Sequence, residues 1–330
     1  MKVSDFSYGL PPDLIAQAPL PNRDSSRMLV LDRALDTLED RHFRDMPAYL
    51  GPGDCLVLNN SKVFPSRLFG HRPTGGKVEV FLLRQLEPNL WTALVKPGRN
   101  LQPGAQVLFT PELTAEVVDR AELGERTLRF DGPIDDLLDQ IGHIPLPPYI
   151  KRTDNPTDHE RYQTVYAQQK GSVAAPTAGL HFTPEILKQV ETRGATVAHL
   201  TLHVGLGTFQ PLSTDEIADV KLHPERYHIT PESAAQMRKA KRLVAVGTTS
   251  LRTLESAGLV AGSGETSLFI SPGYHFRYAG GLLTNFHLPS TSLLLLVAAF
   301  AGTDLTRRAY AHAVQQRYRF YSYGDCMLVL

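Results

Sequence analysis

A chain of 330 residues with 42% hydrophobic and 21% charged side chains can bury a full core and is too apolar to remain disordered. Its 34 Lys+Arg balance 34 Asp+Glu, which excludes a protein that holds nucleic acid or acidic membrane by bulk charge alone. The two cysteines, Cys55 and Cys326, are far apart and outside any Cys-x-x-Cys pair, so neither a disulfide framework nor a thiolate zinc site is expected.

The start, MKVSDFSYGLPPDLIAQ, interrupts its apolar residues with Asp5 and prolines where a signal peptide needs an unbroken run. The next clear element is CLVLNN, which reads as a strand. From about 64 to 145 the pattern changes to short β-rich runs, KVEVFLL, WTALV, AQVLF, TAEVV and RTLRF, separated by turns such as Thr74-Gly75-Gly76, Pro103-Gly104 and Asp131-Gly132-Pro133. That spacing predicts a small antiparallel barrel or sandwich. Charge changes there too: residues 61–110 hold seven basic and two acidic side chains, and residues 111–140 hold three and nine.

Beyond this stretch PEILKQVETRG reads as a helix ending at Gly194, ATVAHLTLHVG as a strand, and LVAVG with TTSLRTLES as strand, turn and helix, with Thr249 or Ser250 as N-cap. The longest apolar run, Leu293 to Ala301, has nine residues, about half of a membrane span, and fits a buried helix. The fold class is therefore mixed α/β: a main α/β domain with an antiparallel β-barrel-like domain inserted at about 64–145. A cytoplasmic protein without membrane attachment is expected.

Several segments could carry chemistry. In YQTVYAQQKGSVAAPTAGLHFT, a run of small residues that lets backbone approach a ligand is closed by His181; the same run would also suit a tight loop that only packs. HLTLHVGLGTFQPL places His199 and His203 four apart, the spacing of a metal pair on a helix, but the segment reads as a strand, where the two share a face, and no Glu follows His199 as a zincin needs. It continues into Gly205-Leu-Gly207-Thr208, two glycines of a dinucleotide fingerprint without the third. KLHPERYHI packs His223 and Glu225 together, either an acid–base couple or an exposed polar strand. Gly247, Thr248, Thr249, Ser250 and Arg252 open a helix whose free N–H groups attract anions, or are simply capped. Asn285 and His287 precede the apolar helix, which Ser290, Thr291 or Ser292 would cap. The end, YRFYSYGDCMLVL, interleaves aromatic and Arg side chains that would stack on unpaired bases or seal the core.

Taken in order, LPPDLIAQAPLPNRDSSRMLVLD, LVLNNSKVFPSRL, GGKVEVFLL, GHIPLPPYIKR, RYQTVYAQQKGSVAAPTAGLHFT, LHVGLGTFQPL, HPERYHI, AVGTTSLRTLES, LFISPGYHF, LLTNFHLPSTSLLLLVAAFAG and YRFYSYGDCML resemble the S-adenosylmethionine:tRNA ribosyltransferase-isomerase family over nearly the whole chain. The chain departs at Asn60-Ser61, where the family has Asp-Thr; at Thr291-Ser292, an inverted Ser-Thr; and at Cys326, in place of Ala. The stretch between Ser256 and Leu268 is also short.

The resemblance implies transfer of the ribosyl part of S-adenosylmethionine to the aminomethyl group of a 7-aminomethyl-7-deazaguanine at the tRNA wobble position. Rearrangement gives epoxyqueuosine-tRNA with release of adenine and methionine. It implies S-adenosylmethionine as a consumed substrate, no cofactor, no metal, the tRNA anticodon arm as partner, and a monomer of two domains, the main α/β domain at 1–63 plus 151–330 and the inserted small β-barrel domain at 64–150. Proton transfers are assigned to His181 and the His223/Glu225 pair. Substrate orientation is assigned to Gly205, Gly207, Thr208, Thr248, Thr249, Ser250, Arg252, Asn285 and His287. The tRNA contacts are assigned to Lys62, Arg67, Arg72, Lys77, Arg84, Lys96 and Arg99. A conventional S-adenosylmethionine-dependent RNA methyltransferase and a non-catalytic tRNA-binding module are the alternatives; the missing glycine-rich βα turn weighs against the first.

Overall fold

The computed structural model describes residues 1–121, 124–205, 212 and 214–330. Four strands come first: β1 (Arg27–Asp32), β2 (Thr37–His42), β3 (Asp54–Asn59) and β4 (Ser61–Val63). Six more follow: β5 (Arg67–His71), β6 (Lys77–Glu87), β7 (Leu90–Lys96), β8 (Gln106–Thr110), β9 (Leu113–Arg120) and β10 (Glu125–Phe130). These six close into an antiparallel barrel, order β10-β7-β6-β5-β8-β9. All five β-rich runs of the sequence are strands, and RLFGH supplies the sixth. Val78, Val80 and Leu82 of β6 alternate inward to a core that includes Leu68, Trp91, Val107 and Leu128. Phe64, on the way in, and Val173, from the main sheet side, join that core.

After the barrel come α1 (Asp135–Ile141), α2 (Pro156–Arg161), β11 (Gln169–Ser172), α3 (Pro184–Thr192), β12 (Thr196–Leu202) and β13 (Glu225–Ile229). Then follow α4 (Pro231–Lys239), β14 (Arg242–Val246), α5 (Thr248–Ala257), β15 (Gly262–Thr266), β16 (Ala279–Asn285), α6 (Ser292–Ala301), α7 (Thr303–Gln315) and β17 (Cys326–Val329). Nine strands form one sheet, order β15-β13-β12-β3-β14-β16-β17-β1-β2. Its four adjacent central strands, β12, β3, β14 and β16, are mutually parallel.

Parallel strands are buried on both faces and read as unbroken apolar runs, which is what CLVL, LVAV and MLVL are. Cys55, Val57, Leu243, Ala245 and Leu282 face α4, α5, α6 and α7, while Leu56, Leu58, Val244, Val246 and Leu283 face α3, Phe43 and Met46. The run at 293–301 is α6, buried nearly all round. The C-terminal aromatics belong to this core: Tyr318 and Phe320 are fully buried against Phe286, so the base-stacking alternative for them is excluded. Among the described residues no helix is long and apolar enough to cross a membrane.

The end of β3 is tied to β12 by a side chain that imitates backbone. Asn59, fully buried, accepts from the Leu202 N–H at 3.0 Å and the Ser61 N–H at 3.1 Å, and donates to the Leu202 carbonyl at 2.9 Å. Replacing it by Leu leaves those peptide groups unpaired in a dry place. Asn59→Leu should therefore lose about 3 kcal/mol of unfolding free energy in urea titration; a loss below about 1 kcal/mol would contradict this role.

Candidate active site

Because β3, β12, β14 and β16 run the same way, the residues after each of them arrive at one edge of the sheet: Asn59 to Ser61, His203 to Gly205, Gly247 to Ser250, and Asn285 to His287. β13 runs antiparallel to β12 and so begins at that edge with Glu225. β17 and β1 also begin there, since Asn285 pairs with Cys326 and Cys326 with Met28. Segments more than two hundred residues apart thus meet at the carboxyl ends of parallel strands, the usual position of ligand crevices in open α/β sheets.

Glu225 is buried and its two oxygens are both engaged, Oε1 by the Gly205 N–H at 2.9 Å and Oε2 by Arg252 Nη1 at 2.8 Å. Arg252 also donates through Nε to the Leu268 carbonyl at 3.1 Å. Its Nη2 is buried and has no hydrogen-bond partner among the described residues. His223 is exposed, and no hydrogen bond or ion pair joins it to Glu225 among the described residues. The structure brings Glu225 to Arg252 and Gly205 rather than to His223.

α5 begins at Gly247, whose φ of 87° requires glycine, and no side chain caps it. The cap expected at Thr249 or Ser250 is therefore corrected: both lie inside the first turn. Ser250 turns its hydroxyl back to the Val246 carbonyl at 2.7 Å, and Thr249 accepts from Asn59 Nδ2 at 3.4 Å. By contrast α3, α4 and α6 are capped by the hydroxyls of Thr183, Thr230 and Thr291. The α5 N-terminus thus keeps its positive end at the sheet edge beside Arg252.

His181 closes a tight turn, Thr177–His181, and is 4% exposed. Its Nδ1 shares a hydrogen bond with Ser26 Oγ at 2.9 Å, its ring lies 5.3 Å from Phe43, and its Nε2 is buried without a partner among the described residues. Burial pulls its pKa from 6.5 to about 4, the Asn285 amide opposing and Arg23 and Arg319 adding to the fall. Asn285 donates to the Tyr321 carbonyl at 2.9 Å and keeps Oδ1 unpartnered. His287 is different in kind. Its Nε2 meets Thr284 Oγ1 at 2.9 Å, its N–H donates to Tyr310, its carbonyl accepts from Tyr8, and burial pulls it to about 3.

His203 bonds Ser61 Oγ at 2.9 Å above Gly171, where a Cβ would come within 2.8 Å of the ring; His199 lies beside Tyr166. Among the described residues no three His, Cys, Asp or Glu side chains gather as metal ligands. Gly207 and Thr208 lie outside the described residues. Of the basic residues, Arg67 is paired with Glu79 at 3.0 Å, and Lys96 stands opposite Glu79 in register. Lys77, Arg84, Lys96 and Arg99 are exposed and Arg72 is half-buried on the barrel, while Lys62 sits on β4 beside Lys170.

The substituted positions among the sequence departures fall at this edge, while the short stretch between Ser256 and Leu268 runs from the far end of α5 through β15. Asn60 accepts from Thr201 Oγ1 at 2.7 Å, Ser61 holds His203, Thr291 caps α6, and Cys326 is fully buried opposite Asn285. Ser26 and Asn59 were not among the expected site residues. Both stand in quoted motifs, but their partners are 155 and 143 residues away and leave no local signal.

A queuosine biosynthesis protein family model matches residues 3–329. The S-adenosylmethionine:tRNA ribosyltransferase-isomerase of Solibacter usitatus is 55% identical, covering 100% of both chains. That of Thermotoga maritima is 47% identical, again covering 100% of both. The crystal structure of S-adenosylmethionine tRNA ribosyltransferase from Thermotoga maritima matches with a TM-score of 0.57 and 38% identity, over 99% of this chain and 100% of that one.

His181 and His287 are neutral in the fold and would titrate near 6.5 when unfolded. The stability this contributes is complete above pH 6.5 and is lost as pH falls toward 4, where the unfolded chain binds the extra protons. For His181 alone the loss is about 3 kcal/mol. Urea titrations from pH 7 to 4 should show a decline that is shallower in His181→Gln by about that amount. A second expectation concerns the buried pair: Glu225→Gln strands the Arg252 charge and should cost about 3 kcal/mol, with Glu225→Gln/Arg252→Gln costing less than the two single changes together.

Proposed function

Since the chain belongs to the queuosine biosynthesis protein family, we propose that its sheet edge is where S-adenosylmethionine is opened and its ribosyl part passed to tRNA. The chain transfers and isomerises the ribosyl moiety of S-adenosylmethionine onto tRNA, the activity named for relatives 47% to 55% identical to it over their full length. The acceptor is the aminomethyl group of 7-aminomethyl-7-deazaguanine in the anticodon arm. Adenine and methionine leave, and the product is epoxyqueuosine-tRNA. S-adenosylmethionine is consumed, and no resident cofactor or metal is called for.

The observation that carries the site assignment is the convergence of the family-matching segments on one edge, around a buried neutral imidazole with a free nitrogen. The positive sulfur acidifies the neighbouring C5′ protons, so the first demand is a base of modest strength that is unprotonated at neutral pH. His181 meets it: with Nδ1 held by Ser26, Nε2 is the open acceptor. The proton it takes is then available for the departing adenine. Asn285 Oδ1 is an acceptor suited to a ribose hydroxyl or the adenine amino group. The uncapped α5 N-terminus and Arg252 Nη2 suit the methionine carboxylate.

Glu225 serves as a positioning residue, holding Arg252 and the Gly205 N–H in place. Gly207 and Thr208, next in sequence and outside the described residues, are proposed to orient the same substrate. His223, exposed and two residues before Glu225 in sequence, is the candidate for a second proton transfer. His287, held through its Nε2, backbone N–H and carbonyl, shapes the turn that presents Asn285. The barrel bases Lys77, Arg84, Lys96 and Arg99, with Lys62, Arg67 and Arg72, supply the contacts to RNA backbone.

Incubation with S-adenosylmethionine and a deazaguanine-modified anticodon stem–loop should add the ribosyl-derived mass to the RNA and release one adenine per addition. His181→Gln should lower kcat by ~100-fold or more. A methyl-sized gain in mass, or full turnover by the variant, would contradict the reading.

A further inference from the structure

Away from the sheet edge, the barrel holds a cavity of ≈ 510 Å³ whose lining includes Leu94, Gly98, Arg99, Gln102, Arg120 and Arg126. Three guanidinium groups line it, and no carboxylate does so among the described residues. Arg126 is 2% exposed and spends its hydrogen bonds on neutral carbonyls: Leu101 at 2.6 Å, Gly98 at 2.9 Å, Gly124 at 3.0 Å and Glu125 at 3.1 Å. Arg120 donates to Gln102 Oε1 at 3.4 Å, and Arg99 stands exposed at the rim. None of the three is in an ion pair among the described residues.

Arg252, the other arginine buried this deeply among the described residues, is treated differently: Glu225 stands 2.8 Å from it. In Arg126 the hydrogen bonds are satisfied and the charge is not, which is costly in a buried place. Burial, and after it the neighbouring Arg120, push the Arg126 pKa below its usual value, as expected for cations crowded without an anion. The carbonyl bonds also fix the walls, because they tie the turn at 98–101 to the turn at 124–125.

We infer that this cavity is a seat for one backbone phosphate of the RNA substrate, held by Arg99 and Arg120 over the fixed charge of Arg126. The inference rests on the reading of tRNA as substrate. Planar guanidinium forks match phosphate oxygens in pairs, and an open rim admits a phosphodiester in a chain as readily as a free ion. Arg120 and Arg126 lie outside the basic stretch 61–110 and within the acidic stretch 111–140, so only folding places them beside Arg99.

The test is equilibrium binding of an anticodon stem–loop, followed by fluorescence anisotropy across a sodium chloride series. The double variant Arg99→Gln/Arg120→Gln is compared with wild type and with Lys188→Gln/Lys239→Gln, which removes two exposed charges elsewhere. Thermal midpoints check that all three are folded. The Arg variant should bind about tenfold more weakly at physiological salt, with a slope of log affinity against log salt shallower by about 1; the Lys variant should match wild type. An Arg variant with the affinity and slope of wild type would overturn the inference while leaving the tRNA reading intact. Wild type that fails to bind the stem–loop would remove the tRNA reading and the inference with it. Inorganic phosphate, added at constant ionic strength, should compete only at millimolar concentration; competition at micromolar concentration would make the cavity a free-anion site and overturn the inference.

Discussion

Four parallel strands side by side are the constraint from which the rest of this structure follows. Parallel pairing aligns β12, β3, β14 and β16 so that all four deliver their following residues to one edge. It also obliges those strands to be apolar on both faces, with successive residues of CLVL and LVAV feeding two separate cores. Polar groups are admitted where the strands stop. Asn59, His203, Thr249 and Asn285 all stand within three residues of a strand end, and each is bonded to a segment distant in sequence.

Burial at that edge selects which groups keep a charge. Glu225 and Arg252 remain a matched pair because each supplies what the other needs in a dry environment. His181 has no acidic partner, so desolvation governs and the ring is neutral. The Glu225 carboxylate has both oxygens already engaged, whereas the His181 imidazole has one nitrogen tied and one without a partner among the described residues. The difference in environment, rather than residue type, divides positioning from proton transfer here. The same logic marks out Arg126, a buried cation left with carbonyls alone.

Much of the fold was legible in the sequence because its signals are local. KVEVFLL, WTALV, AQVLF, TAEVV and RTLRF each alternate or carry β-branched residues, and each became a barrel strand. RLFGH escaped notice because it is short and ends in Gly-His. The cap of α5 was misplaced for a related reason: hydroxyl residues are the usual caps, but here they sit in the first turn and a positive-φ glycine begins the helix. The C-terminal aromatics lie between α7 and β17 and are buried there by partners such as Phe286. Site residues were legible as motifs, but their pairing was not. Nothing local distinguishes Glu225 bonded to Arg252 from Glu225 bonded to His223, two residues away.

The central claim, that S-adenosylmethionine is held at the carboxyl edge of the parallel strands, is tested most directly by amide hydrogen exchange with and without that substrate. Protection on binding is expected in peptides covering 59–61, 203–205, 247–252 and 285–287, with the barrel strands unchanged. Protection confined to the barrel, or to the opposite edge of the sheet at 53–55 and 242–244, would contradict it.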